Sequence, residues 1–134
     1  MSATHPTYHV SSTRIEAWAI IALVLVCMDA LLTTFALYTV NGAQEINPVY
    51  AWLFGHITIG GTMSLKVLAG SVFAMFLAHA AEHGYPFSWM QRNWRLKPVT
   101  RGKTARRAYR MLLTLTALHG LVVINNTIVI WRHS

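Results

Sequence analysis

An all-α integral membrane fold, three transmembrane helices plus one short interfacial or re-entrant helix after the first, is the fold class this sequence predicts, and three observations predict it. Hydrophobic residues make up 54% of the chain and charged residues 11%, whereas a soluble domain carries about 25% charge; the mean hydropathy is +0.42. Three apolar runs reach the roughly 20 residues needed to cross a bilayer core. The basic residues gather in one connecting segment, as they do in a chain oriented across a membrane. With 134 residues, a single membrane domain over 1–134 accounts for the length.

The elements follow in order. Residues 1–13 are polar, with His5, Pro6 and His9, and only Arg14 precedes the first apolar run. That run is too long for the core of a signal peptide and lacks a small-x-small cleavage site before Asp29, so it is expected to be a retained first span over 15–40. Next comes "NGAQEINPVYAWLFGHITIGG", too short for a span. Asn47 can cap a helix there, and Pro48 suits its first position, where a missing amide hydrogen has no partner to lose. Gly55 or the Gly60-Gly61 pair can end it. The short helix, expected over 48–57, covers about 15 Å, half a bilayer core. The second span is expected over 62–81 and the third over 111–130, with Trp131 at the depth of an aromatic belt.

Charge sets the expected topology. The formal net charge is +7, and the segment 84–110 carries Arg92, Arg95, Lys97, Arg101, Lys103, Arg106, Arg107 and Arg110, with no acidic residue from Gly84 onward. By the positive-inside rule this loop and the N-terminus are cytoplasmic, while the Glu45 hairpin and the C-terminus lie outside, in an inner or cytoplasmic membrane. The same segment carries Tyr85, Phe87, Trp89 and Trp94. RNA or anionic lipid would suit such a mixture, but a topology signal resting on lipid headgroups is the simpler reading. Lipid headgroups are therefore expected partners at the basic loop, and nucleic acid is not expected. Cys27 is the one cysteine and lies in an apolar run, which excludes an internal disulfide and a cysteine-built metal site.

The chain places expensive groups inside the lipid. Asp29 falls near the bilayer centre, where a charge costs about 3 kcal/mol on insertion scales and is expected to face protein. Thr33 lies one turn above it. On the third span Thr116, His119 and Asn126 share a face, and on the second Lys66, Gly70, Ala74 and Ala78 form a stripe of the small-xxx-small kind that lets helix backbones approach. By depth, Asp29 is expected to reach His119, and Lys66 to pair with Glu45 and contact Asn125 or Asn126. Together with Asn47 these residues make an intramembrane polar cluster that reads either as a structural lock or as a proton relay or ligand pocket.

Asp29, Thr33-Thr34, then Gly42-x-x-Glu45-x-Asn47-Pro48 and Lys66 early in the next span form a pattern that resembles an uncharacterised family of small bacterial and archaeal multi-helix membrane proteins. The resemblance runs from Asp29 to Lys66 and implies a membrane fold with no established activity.

Histidines carry the remaining chemical signals. "HAAEH", His79 to His83, matches the H-x-x-E-H pattern of inverted zinc proteases. The chain is small for such an enzyme, the motif falls at the end of a span, and Glu82 is the last acid, so no downstream carboxylate completes a ligand set. Metal binding by His79, His83 or His119 rests on residue type alone, as does ligation of haem, chlorophyll or copper. No cofactor is identified. No phosphate loop or catalytic triad occurs, and an enzyme is not expected. The leading expectation is a small accessory transmembrane subunit packing against a larger integral membrane complex of respiratory, photosynthetic or membrane monooxygenase type. The alternative is an oligomeric proton or metal-ion carrier, or a cofactor-binding membrane protein, built on Asp29, Lys66 and His119.

Overall fold

A computed structural model describes residues 10–40, 48–85 and 98–133, and the described residues form four helices and no strand. They are α1 (Ser12–Thr39), α2 (Pro48–Phe54), α3 (Ile59–His83) and α4 (Pro98–His133). Helices α1, α3 and α4 are each long and apolar enough to cross a membrane. All three pack against one another, and among the described elements α2 touches α3.

Local chemistry explains where the helices begin and end. Helix α1 starts where the amides of Arg14 and Ile15 find the carbonyl of Ser11. Pro48 opens α2, and the chain leaves that helix at Gly55, whose amide turns back to Trp52. Thr58 caps α3 by accepting from the Gly61 amide at 3.1 Å, one of the otherwise unpartnered donors of a first turn. Gly84 ends α3 in the left-handed region, at φ 77. A Cβ there would lie 2.8 Å from the Arg101 carbonyl oxygen, so both the backbone conformation and the close approach of α4 require glycine.

Helix α4 begins well before its apolar run. The run starts at Met111, whereas the helix starts at Pro98 and takes up the second half of the segment expected as a basic loop. Arg, Lys and Ala are good helix formers, Pro98 occupies the favoured first position, and only Gly102 interrupts before the span. Residues 86–97 lie outside the described residues.

The bundle runs up, down, up. The start of α1 meets the end of α3, where Ile15 packs with Leu77, Ala80 and Ala81, and the same cluster takes Ala108 and Leu112 of α4. Each helix contributes a stripe at spacings of three, four, seven and eight, which puts its members on one face: Ile15, Ala22, Val26, Asp29 and Ala30 on α1, Lys66, Ala74, Leu77 and Ala81 on α3, and Ala108, Leu112, Thr116 and Val123 on α4. Alanines dominate because lipid tails are as apolar as leucine. Association in a membrane therefore depends on close contact and on polar bonds rather than on removal of apolar surface from water. Helices α1 and α3 approach closely at Gly70, where a Cβ would sit 2.8 Å from Cγ1 of Val26. Ala74 is fully buried and Ala78 packs against the same core, so this stripe faces the bundle. The outward faces carry large apolar side chains such as Leu31, Leu68 and Leu121.

Candidate functional site: an intramembrane polar centre

The three spans meet in their second halves, counted along α1, around a carboxylate. At a rise of about 1.5 Å per residue, Asp29 lies roughly 15 Å from the Thr39 end of α1, and Lys66 lies roughly 10 Å from the Ile59 end of α3. The Lys66 ammonium sits 2.9 Å from Oδ2 of Asp29. The other carboxylate oxygen, Oδ1, accepts from the Thr33 hydroxyl at 3.2 Å and from the side-chain amide of Asn126 at 3.2 Å. Asn126 Nδ2 also donates to the Thr33 hydroxyl oxygen at 3.1 Å.

The side-chain hydrogens of Asn126 and Thr33 are all used. An asparagine amide has two hydrogens, which serve Asp29 and Thr33; the threonine hydroxyl has one, which serves Asp29. Asp29 is 3% exposed and Lys66 9%, so the ion pair is formed almost wholly out of contact with its surroundings. Removing one member leaves the other charge uncompensated in low dielectric, whereas the intact pair is neutral. Tyr50 of α2 brings its ring centroid to 5.1 Å from the ammonium, adding a cation–π contact and holding the short helix over the centre. Groups from all four helices thus converge on two charges.

The pairing differs from the one that depth along the sequence suggests. Asp29 bonds to Lys66, Thr33 and Asn126, not to His119. The His119 ring instead turns its Nδ1 to the carbonyl of Leu115 on its own helix at 3.0 Å. His119 and Asn126 share a face, but seven residues of helix put them roughly 10 Å apart along the axis. Thr116, also buried, donates to the Leu112 carbonyl and stays out of the centre. Asn125 is exposed. Glu45 and Asn47 lie outside the described residues.

At the opposite end of the bundle, His79 and His83 stack with ring centroids 4.4 Å apart. Glu82 accepts from the Ser12 hydroxyl at 2.8 Å, and Ser12 also lies 3.1 Å from a carboxylate oxygen of Glu16. Glu82 therefore ties α3 to the first turn of α1. Among the described residues no three His, Cys, Asp or Glu side chains are arranged to hold a metal ion.

Two contributors to the centre were open to sequence reasoning and were not singled out. Thr62 is fully buried and its hydroxyl has no hydrogen-bond partner; it precedes Lys66 by four residues, which places it on the same face one turn outward. Tyr50, two residues after Pro48, carries the aromatic ring that a nearby ammonium attracts. Compared with known proteins, the chain matches no family model, no curated protein and no solved structure.

Proposed function

We propose that this protein is a small structural subunit that packs, as a preassembled three-span bundle, against a larger integral membrane protein. The observation that carries this reading is the linkage at the polar centre: Asp29, Lys66, Thr33 and Asn126 bond to one another with members from all three spans, which is the arrangement of a clasp. The outer surface supports the same reading. Beside the clasp, α1 and α3 leave a groove of about 590 Å³ whose lining includes the small Cys27, Ala30, Thr34, Ser64 and Ser71 between the larger Leu31, Met63 and Leu68. Small side chains of this kind admit another helix backbone closely. Thr34 and Ser64 bond to the carbonyls of Ala30 and Gly60 in their own helices, so they present no unpartnered donor to lipid.

Extraction in mild detergent followed by size separation tests this. Co-elution with a larger membrane protein, lost on widening a groove residue as in Ser71→Leu, is the expected result. Elution of the native protein as a lone monomer would overturn it.

A second reading, an oligomeric proton or ion carrier, is favoured by Thr62. Its orphan hydroxyl, one turn outward of Lys66, is a polar step toward the α2 end of the bundle. In proteoliposomes a carrier would move protons or cations across the membrane and lose this with Lys66→Met; a clasp would show no flux in either form.

For orientation, we propose an inner or cytoplasmic membrane with the N-terminus and the start of α4 in the cytoplasm and the C-terminus outside. With Cys27→Ala as background, a cysteine replacing Gly102 should react only from the cytoplasmic side and one replacing His56 only from outside. Reaction from a common side would contradict three spans in this orientation.

A further inference from the structure

Helix α4 is longer than a bilayer core requires. Its 36 residues extend about 54 Å, against a hydrocarbon thickness of about 30 Å. With the apolar run over 111–130 in the lipid, most of the excess lies at its start.

Charge on that overhang is sorted by face. Successive helical residues turn by about 100°, so Lys103, Arg106, Arg107 and Arg110 fall within an arc of about 100°, and all four are exposed. Ala108 and Leu112, both buried, occupy the opposite side. Arg101 belongs with them: its guanidinium lies 4.8 Å from the Tyr85 ring centroid and donates to the His83 carbonyl at 3.4 Å, fastening α4 to the end of α3. No acidic residue occurs in α4.

We propose that Lys103, Arg106, Arg107 and Arg110 form a binding face for the phosphates of anionic phospholipid headgroups in the leaflet where α4 begins. The position supports lipid as the occupant. Arg110 abuts the apolar run, so the stripe rises from the hydrocarbon boundary through the layer in which lipid phosphates lie. Arginine suits phosphate because its planar fork donates two parallel hydrogen bonds, and long stems can lie along the acyl boundary while the charged heads reach the phosphates. The face points away from α1 and α3, the described helices against which α4 packs. This inference is independent of the subunit reading above.

The test uses the full-length protein in nanodiscs of phosphatidylcholine alone or mixed equally with phosphatidylglycerol. Native mass spectrometry counts retained lipids, and thermal unfolding is followed in parallel. The wild type should retain phosphatidylglycerol selectively and melt higher in the mixed discs. The variant carrying Lys103→Gln, Arg106→Gln, Arg107→Gln and Arg110→Gln should lose both effects; Arg92, Arg95 and Lys97 remain to orient it. Arg101→Gln should lower the melting temperature equally in both lipids and leave retention intact. If the fourfold variant does not fold, wild-type retention is read against salt, and it should fall as ionic strength rises. Equal retention of both lipids by the wild type, undiminished retention in the fourfold variant, or retention indifferent to salt would overturn the proposal. So would displacement of the bound lipid by a single-stranded RNA oligonucleotide at lower concentration than by phosphatidylglycerol, which would assign the face to nucleic acid.

Discussion

The two halves of the bundle are held by different means. At the end where α1 begins, Ile15, Ala80, Ala81, Ala108 and Leu112 meet without a charge among them. Beyond the middle of α1 the same helices meet around Asp29 and Lys66. In water the first arrangement would be the strong one, because apolar burial drives folding there. In lipid that drive between helices is gone, and small side chains contribute only close contact, whereas an ion pair shielded from water is costly to break. The difference teaches that the polar half fixes which helices associate and in what register, while the alanine half sets how closely they lie.

Substitutions can separate these contributions. Lys66→Met should have the largest effect, since it leaves Asp29 buried without its cation; by analogy with buried pairs in soluble proteins the loss is about 3 to 5 kcal/mol, measured as unfolding in detergent or as reduced accumulation in the membrane. Gly70→Ala comes next. Its new Cβ would lie 2.8 Å from Val26 Cγ1, and overpacking of this kind costs about 1 to 3 kcal/mol; adding Val26→Ala should recover part of the loss, and no recovery would mean that the close approach is not what Gly70 provides. Thr33→Val removes a hydroxyl that donates to Asp29 and accepts from Asn126. A loss of about 1 to 2 kcal/mol is expected, with the bundle intact by circular dichroism. Smallest is Ser12→Ala at the alanine end, where exposed polar links to Glu16 and Glu82 should change stability by less than about 1 kcal/mol.

Much of the polar half is legible in the sequence, because charged and amide side chains inside long apolar runs announce themselves: Asp29, Thr33, Lys66 and Asn126 can all be named before any coordinates. Their pairing is not legible to the same degree. A rise per residue gives the height of each Cα, but lysine carries its charge at the end of a four-carbon stem, so Lys66, nearer its helix end, still meets a carboxylate farther in. His119 stands at a plausible depth, yet height does not say which way its ring turns. The length of α4 is hidden for another reason. Hydropathy marks where lipid begins, not where a helix does, and the signals for continuation were Pro98 and the good helix formers between Lys103 and Arg110. Ser12 joining Glu82 is a contact between the first turn of one helix and the last turn of another, and neither residue type nor spacing reveals it.

The central claim is that Asp29 and Lys66 stabilise the bundle as a pair, and a double-mutant cycle tests it most directly. Unfolding free energies would be measured in one detergent for the wild type, Asp29→Asn, Lys66→Met and the double variant. The account predicts that each single change is costly and that the double variant is more stable than the sum of the two losses implies, at least as stable as Lys66→Met alone. Losses that simply add would contradict it, showing that the two charges stabilise the helices independently.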